Sequence, residues 1–160
     1  MPGAPDRGCT PLGCHDNGGV ILPPALAQEM IAHAAGAPLA PNGVREEACG
    51  ILAGNDSRPL RFYPTTNSEH SPTRYAVDSQ EQVRIMSDIY KEGWDLLGIF
   101  HSHTHTAAYP SSTDVDLAVR NWPDILYLIA SLQHDTPELR AFRITAEGRV
   151  EEEEITYSEA

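Results

Sequence analysis

Apolar residues recur along the chain at two kinds of spacing, one typical of amphipathic helices and one typical of strands. Segments 24–35 and 79–91 place apolar side chains three or four positions apart, which predicts two helices, the second capped by Ser79. A third helix is predicted over about 112–120. Strands are predicted over about 48–53, 60–63, 75–77, 139–145 and 150–157, and the apolar runs 96–100 and 125–132 predict central strands that are buried on both faces.

This order of elements predicts an α/β (α+β) fold, a mixed β-sheet flanked by helices. The dipeptide Glu147-Gly148 lies between the last two predicted strands and resembles a hairpin turn. Residues 1–20 are rich in glycine, proline and small polar residues, so we expect a flexible leader there. Residues 21–160 are enough for a single domain with its own core.

Composition and charge exclude several classes of function. The net charge of −12 argues against nucleic acid as a partner, because phosphate binding requires clustered lysine and arginine. No apolar run approaches the ~20 residues that cross a bilayer, so we expect no membrane span. The first residues lack the apolar stretch of a secretory signal, and we therefore expect a cytoplasmic protein. No pattern in the sequence predicts an oligomeric state.

The cysteines form no recognisable framework. Cys9, Cys14 and Cys49 are too few and too unevenly spaced for a set of disulfides. Cys9, Cys14 and His15 match no common zinc module, and they fall in the expected leader, so we interpret them as tail residues. Cys49 is interpreted as a small buried packing residue.

The segment 101–114, HSHTHTAAYPSSTD, carries the residues with the clearest chemistry. His101 and His103 follow the apolar run 96–100, and residues two apart on a strand point to the same side. Asp114 comes eleven residues after His103. Two imidazoles and a carboxylate are a suitable ligand set for zinc. Two simpler interpretations remain open: the histidines form a surface pair or a satisfied polar pair, and Ser111-x-x-Asp114 only caps the next helix.

Other enzymes that use an H-x-H pair fit this sequence poorly. Metallo-β-lactamase-like hydrolases require H-x-H-x-D-H, whereas His105 and Thr106 occupy the last two of these positions. Amidohydrolase barrels need roughly 250 residues, more than this chain has. Cupins place a glutamate a few residues after the pair, and here none follows before Glu138.

The residues as they stand resemble the JAMM/MPN+ metallopeptidase family, whose pattern is an upstream glutamate followed by H-[ST]-H-x7-S-x2-D. The spacing from His103 to Ser111 and from Ser111 to Asp114 matches this pattern. The Glu-x-Cys-Gly signature of the prokaryotic members is matched by Glu47-Ala48-Cys49-Gly50. Further matching positions precede the second helix, namely Asn67, Ser71-Pro72, Arg74-Tyr75 and Asp78.

The resemblance covers residues 23–132 and shows one departure. Many members have proline after the second histidine, whereas this chain has Thr104, which is similar to an actinobacterial branch of the family. The proline is not a metal ligand, so the departure does not threaten the metal site. Ser102, between the two histidines, is expected to support the site through hydrogen bonds.

The resemblance implies an MPN/JAB1 fold of cytidine-deaminase-like architecture and a catalytic zinc site. His101, His103 and Asp114 would hold one Zn²⁺ ion and leave a fourth position open for water. Glu47 would act as general base and then as proton donor, and Ser111 would donate a hydrogen bond to the oxyanion. Three further residues are candidates for substrate contacts: Arg74, His105 and Tyr109.

The resemblance also implies hydrolysis after the C-terminal Gly-Gly of a ubiquitin-like protein. The HSHT variant resembles enzymes that release cysteine from a sulfur-carrier–cysteine adduct in cysteine biosynthesis, so a ubiquitin-like sulfur-carrier protein is the expected substrate. Three alternatives remain open: a peptidase that matures the carrier tail, a deubiquitinase-like isopeptidase, and a non-catalytic MPN scaffold that binds partners. The scaffold members lose ligands or the glutamate, whereas this chain retains all of them.

Overall fold

The computed structural model describes residues 19–159. The strands are β1 (Gly19–Leu22), β2 (Cys49–Asn55), β3 (Arg58–Thr65), β4 (Asp95–His103), β5 (Leu126–Ser131), β6 (Glu138–Ile144) and β7 (Val150–Tyr157). The helices are α1 (Pro24–Ala35), α2 (Ser79–Glu92) and α3 (Ser112–Asn121). The strands form one mixed sheet in the order β1-β7-β6-β5-β4-β2-β3, which confirms the predicted fold class. No helix in this part of the chain is long and apolar enough to cross a membrane.

The centre of the sheet is the parallel pair β4 and β5, flanked by β2 and β6 in antiparallel orientation. Both central strands are almost completely buried, as their apolar sequences predict. Alternate residues of β4 belong to different cores, because side chains alternate along a strand. Phe100 belongs to the core that includes Met30 of α1, whereas Ile99 belongs to the core of Ile89 in α2 and Ala118 in α3.

The strand predicted over 75–77 is wrong. Only Val77 pairs there, in an isolated antiparallel bridge with Asn67. The N–H of Ala76 donates to the side-chain oxygen of Asn67 (3.1 Å), and the carbonyl of Arg74 accepts from its amide (2.9 Å). A side chain therefore satisfies the main-chain groups that a strand ladder would have used, which hydrophobic periodicity cannot reveal.

The first strand begins inside the predicted leader. Gly19 and Val20 belong to β1, which pairs in parallel with β7, so the leader cannot extend to residue 20. The strand β1 has only four residues and adjoins a glycine-rich segment, so its sequence pattern is too short to be recognised as a strand. The rest of the predicted leader, with Cys9, Cys14 and His15, lies outside the described residues.

The cap of α2 differs from the prediction, whereas the turn between β6 and β7 agrees with it. The cap of α2 is Asp78 rather than Ser79, because the carboxylate of Asp78 accepts from the N–H of Glu81 at 3.0 Å. The predicted hairpin between β6 and β7 is present: Gly148 has φ +83° and donates to the carbonyl of Thr145 at 2.9 Å. A positive φ explains the glycine at this turn.

Candidate metal centre

Two imidazoles and one carboxylate converge at the end of β4. This strand continues through His103, which pairs with Ser131 of β5, so both histidines are held in the sheet. The Nε2 atoms of His101 and His103 lie 3.2 Å apart. The Oδ2 atom of Asp114 lies 3.1 Å from Nε2 of His101 and 3.0 Å from Nε2 of His103. All three side chains are buried.

The start of α3 positions Asp114. The hydroxyl of Ser111 accepts from the N–H of Asp114 at 3.1 Å, and Oδ2 of Asp114 accepts from the N–H of Ser111 at 2.9 Å. This reciprocal arrangement is a capping box, so the interpretation of Ser111-x-x-Asp114 as a helix cap is confirmed. Because the same Oδ2 faces both histidines, capping also aims the carboxylate at the cluster.

The donor set and its spacing fit a zinc ion. Bond lengths of ~2.0–2.1 Å place neighbouring ligands of a tetrahedral zinc ion about 3.3 Å apart, close to the separations of 3.0 to 3.2 Å in this cluster. The Nδ1 of His103 is 2.8 Å from the carbonyl of Ala107, to which it must donate. In the neutral form of His103 that bond leaves the lone pair on Nε2, which faces the cluster, as metal binding requires.

Two of the three cluster residues are already in the protonation state that a cation requires. Burial lowers the pKa of His101, so this imidazole is neutral at neutral pH. Burial opposes ionisation of Asp114, but His101, the hydrogen bonds from both imidazoles and the N–H of Ser111 outweigh it and hold the pKa of Asp114 well below its ordinary range. Neutral imidazole and ionised carboxylate are the forms that bind metals. Burial opposes protonation of His103, but its contacts with Asp114 and Ala107 outweigh burial and raise its pKa, so a cation would have to displace that proton.

Glu47 is buried just before β2 and is tied to β4 by its neighbour Ala48. The N–H of Ala48 donates to the hydroxyl of Ser102 at 2.8 Å, and the N–H of Ser102 donates to the carbonyl of Ala48 at 3.0 Å. Ser102 lies between the two histidines, so this pair of bonds fixes the backbone of Glu47 relative to the cluster. The hydrogen bonds expected of Ser102 are present, and its support of the site stays a prediction.

The carboxyl group of Glu47 is in an unusual environment. Burial raises its pKa to about 8, with His103 opposing this effect and Asp114 adding to it. Its Oε1 is buried and has no hydrogen-bond partner within residues 19–159. A buried carboxyl whose pKa lies near neutral pH and which has an unoccupied oxygen can both accept and return a proton.

Comparison with known proteins now identifies the family. A family model described as prokaryotic homologs of the JAB domain matches residues 23–145. The chain belongs to this family. The family membership and the JAB1/MPN architecture expected from the sequence are thereby confirmed.

Several relatives of this JAB domain match over most of its length. The CysO-cysteine peptidase of Mycobacterium tuberculosis (strain ATCC 25618 / H37Rv) is 39% identical over 143 residues, which cover 88% of this chain and 92% of the relative. The desampylase of Pyrococcus furiosus is 28% identical over 109 residues, covering 68% and 74%. The solution structure of a protein from Desulfitobacterium hafniense is similar with a TM-score of 0.75 and 38% identity, covering 88% and 94%.

In this JAB domain one ring of the cluster is covered by a tyrosine. The ring of Tyr75 stacks on that of His101, with centroids 4.3 Å apart and planes inclined by 17°. In the sequence, Tyr75 belongs only to the family resemblance and to a predicted strand. No local pattern signals the contact, because the loop between β3 and α2 brings Tyr75 over β4 from a distant part of the chain.

Tyr75 also forms part of the wall of a cavity of about 370 Å³. Its walls come from the loop before α2, from α2, α3 and the sheet, and they are largely aromatic and aliphatic. The lining residues are Tyr75, Ala76, Val77, Gln82, Ile99, Leu117, Asn121, Trp122 and Tyr127. None of the three cluster residues is among them, so Tyr75 is the residue that contacts the cluster and also lines the cavity.

The three predicted substrate contacts lie on the surface of the JAB domain. The side chains of Arg74 and His105 are exposed, and Tyr109 is 51% exposed with its ring edge-on to Phe142 at 5.3 Å. Among residues 19–159, no hydrogen bond, ion pair or ring contact joins these side chains to the cluster. Their role as substrate contacts stays a prediction.

Cys49 behaves as the sequence interpretation expects. Its thiol is fully buried, with Sγ 3.2 Å from the hydroxyl of Thr65. Burial raises the pKa of the Cys49 thiol to about 12, so it stays protonated and unreactive at neutral pH. The packing role predicted for Cys49 is confirmed.

Proposed function

We propose that this JAB domain is a zinc-dependent peptidase that hydrolyses the bond after the C-terminal Gly-Gly of a ubiquitin-like sulfur-carrier protein and releases cysteine from a carrier–cysteine adduct. The convergence of His101, His103 and Asp114 in one buried cluster carries the proposal. Further support comes from the similarity to a relative named CysO-cysteine peptidase over 88% of the chain.

The cluster is the proposed zinc site, with His101 and His103 binding through Nε2 and Asp114 through a carboxylate oxygen. When bound, zinc supplies a Lewis acid, lowers the pKa of a water molecule toward ~7, and favours the ionised form of Glu47. Ala107 and the capping box of α3 keep His103 and Asp114 aimed at the ion.

Glu47 is the proposed proton carrier. Its Oε1, which has no partner within the described residues, takes a proton from the attacking water and delivers it to the nitrogen of the leaving amine. One amide bond and one water are consumed, and one carboxyl group and one amine are formed. Burial, which raises the pKa of Glu47 to about 8 in the metal-free protein, opposes the effect of the zinc charge and so helps Glu47 to hold the proton between these two steps.

Ser111 is the proposed donor to the oxyanion. Its hydroxyl oxygen is already an acceptor, because it caps α3 through the N–H of Asp114 at 3.1 Å. The hydroxyl proton of Ser111 is not used by this bond, so it remains available for a developing negative charge on the substrate oxygen.

The cavity beside Tyr75 is the proposed site for the tail of the carrier. Tyr75 joins the two sites, since one part of it lines the cavity and its ring covers His101. A tail that lies in the cavity would approach His101 along Tyr75. Glycine residues at the end of the tail allow the close approach that such a site demands, and an extended tail can pair with nearby main-chain groups.

The proposal is tested by mass spectrometry of three substrates: a carrier–cysteine adduct, a carrier with an extended tail, and a carrier joined through an isopeptide bond. We expect the zinc-loaded wild-type protein to release cysteine from the adduct fastest, and a chelator or Glu47→Gln to abolish the release. Faster cleavage of the isopeptide bond would favour an activity like that of the desampylase relative. Cleavage of none of the three would overturn the proposed function in favour of a binding scaffold.

A further inference from the structure

Asn67 is buried at the start of the loop between β3 and α2, where its side chain binds five main-chain groups. Its Oδ1 accepts from two N–H groups, those of Glu69 (3.0 Å) and Ala76 (3.1 Å). Its Nδ2 faces three carbonyl oxygens, those of Glu47 (3.0 Å), Ser71 (3.4 Å) and Arg74 (2.9 Å). A flipped amide would place its oxygen against three other oxygens, so the network itself fixes the orientation of Asn67.

Asn67 contacts the main chain of Glu47, the proposed general base. The carbonyl of Glu47 accepts from Asn67, and the N–H of Glu47 donates to the carbonyl of Ser71 at 2.9 Å. Ser71 also faces Asn67. The loop thus holds the main chain of Glu47 on one side, while Ser102 holds the following residue on the other. The position of the carboxyl group depends on both.

Asn67 also binds the main chain on both sides of Tyr75, whose ring covers the proposed metal ligand His101. The carbonyl of Arg74 and the N–H of Ala76, which precede and follow Tyr75, are both bound by Asn67. Asn67 therefore fixes the backbone that places the ring of Tyr75 on His101. This contact matters because Nδ1 of His101 is buried without a hydrogen-bond partner within residues 19–159. Metal-binding histidines are ordinarily oriented through that second nitrogen.

We propose that Asn67 is a positioning residue for both halves of the catalytic site, because a single amide fixes the backbone of Glu47 and the backbone that holds Tyr75 against His101. The part of this inference that concerns Glu47 rests on the proposed function. The part that concerns His101 depends only on metal binding.

Asn67→Asp is the sharpest test, since it preserves the shape of the side chain and keeps Oδ1 as an acceptor. It replaces the NH₂ group by an oxygen that faces the carbonyls of Glu47, Ser71 and Arg74, so attraction becomes repulsion. Asn42→Asp is the matched control. Asn42 is exposed, and its Oδ1 accepts from the N–H of Val44 at 3.0 Å, a bond that aspartate retains.

Three readouts are compared in the full chain: the zinc dissociation constant by competition with a chromophoric chelator, the visible spectrum of the Co²⁺-loaded protein, and kcat with KM for the carrier–cysteine adduct. We expect Asn67→Asp to weaken zinc binding about tenfold, in the range found for groups that orient metal ligands. It should also change the Co²⁺ spectrum and lower kcat at least tenfold, by more than it raises KM. Asn42→Asp should match the wild type in all three.

Asn67→Ser keeps the test decisive if Asn67→Asp does not fold, because serine removes the amide without adding a charge. Hydrogen exchange at the amides of Glu47 and Ala76 then reports whether the loop has loosened in folded protein. Wild-type zinc affinity and kcat in the folded variants would overturn the proposal, as would a loss of activity that only follows the loss of folded protein. If the wild type cleaves no carrier substrate, the proposed function fails, while zinc affinity and exchange still decide the role of Asn67.

Discussion

At the scale of single residues, His101 and His103 occupy equivalent places in the sequence pattern but are held by different interactions. His103 donates through Nδ1 to the carbonyl of Ala107 at 2.8 Å. His101 has no such partner among the described residues and is instead covered by the ring of Tyr75. Metal affinity should therefore depend on an aromatic side chain as well as on the ligands themselves.

Replacing Tyr75 tests this dependence. Tyr75→Leu removes the stacked ring, and we expect it to weaken zinc binding about threefold to tenfold because His101 gains freedom to rotate. Tyr75→Phe keeps the ring and should retain the wild-type zinc affinity. Chelator competition measures both values. Equal zinc affinity in the leucine and phenylalanine variants would show that stacking does not orient His101.

Glu47 and His103 have separable roles in the proposed chemistry. We expect Glu47→Gln to keep one zinc ion per chain but to lose at least a hundredfold in kcat, since the amide cannot carry the proton. His103→Ala should instead lose zinc, because it removes one of three ligands. Metal analysis combined with the adduct assay distinguishes the two. The opposite pattern, with zinc lost in Glu47→Gln and retained in His103→Ala, would contradict both assignments.

Glu47 also makes the stability of the metal-free protein depend on pH. Burial raises its pKa from an ordinary value of 4.5 to about 8, so the folded state binds the proton more tightly than the unfolded state. The resulting stabilisation is fully present below pH ~4.5 and is lost as the pH rises through about 8. The loss should be a few kcal/mol at most, since a tenfold difference in proton affinity corresponds to ~1.4 kcal/mol.

Denaturant unfolding of chelator-treated protein at several pH values measures this effect. Relative to Glu47→Gln, wild-type protein should lose free energy of unfolding between about pH 5 and pH 8. The glutamine variant serves as the reference because it keeps the other titrating groups. Parallel pH profiles for the two proteins would show that the carboxyl of Glu47 ionises freely in the fold.

At the scale of elements, the start of α3 combines a structural and a chemical role in one residue. The hydroxyl of Ser111 caps the helix, and its proton is proposed to serve the oxyanion. The start of α2 offers a comparison, since Asp78 caps that helix through the N–H of Glu81. Removing either cap should lower the free energy of unfolding by a similar amount. Only the removal of the Ser111 hydroxyl should affect the chemistry directly.

We expect Ser111→Ala and Asp78→Ala each to lower the free energy of unfolding by about 1 kcal/mol. Ser111→Ala should in addition lower kcat about a hundredfold, as the loss of an oxyanion donor does in other hydrolases. Chemical denaturation and the adduct assay measure the two quantities. A drop in kcat for Ser111→Ala no larger than that for Asp78→Ala would limit Ser111 to its capping role.

The helices and central strands could be predicted from the sequence, but the loop before α2 could not. The helix α1 follows from apolar residues spaced three or four positions apart, and β4 and β5 follow from short runs that are apolar throughout. The loop is organised by a single buried side chain, Asn67, which replaces a strand ladder with bonds to its own loop. Such a network leaves no periodic pattern for sequence reasoning to detect.

Only part of the candidate site could be predicted from the sequence. Strand alternation brings His101 and His103 to one side of β4, and the capping pattern places Asp114 at a helix start. Nothing local indicates that Glu47 lies beside them, because the two segments meet only through the pairing of β2 with β4. Glu47 could be proposed from the family resemblance, whereas the contact of Tyr75 with His101 required the structure.

At the scale of the whole molecule, metal binding should be linked to stability. The proposed ligands come from β4 and α3, two elements that an unfolded chain does not hold together, so zinc should bind the folded state preferentially. Free zinc at 100 times its dissociation constant stabilises the fold by ~2.7 kcal/mol. We expect the midpoint of thermal unfolding to rise with zinc concentration for the wild type. It should not rise for His103→Ala, and an equal rise in both proteins would place the bound zinc elsewhere.

Packing within the sheet also explains the glycine of the Glu-x-Cys-Gly signature, Gly50. A Cβ atom at Gly50 would collide with the ring of Phe62 and would lie 2.7 Å from the carbonyl oxygen of Tyr63. Phe62 cannot easily yield, because its ring is packed edge-on against Phe100 at 5.5 Å. Glu47, at one end of the signature, is proposed to carry the chemistry, whereas Gly50, at the other end, is required because the packing leaves no space for a side chain. A protein engineer who transfers this motif to another protein must therefore transfer the paired strands β2 and β3 together with the glutamate.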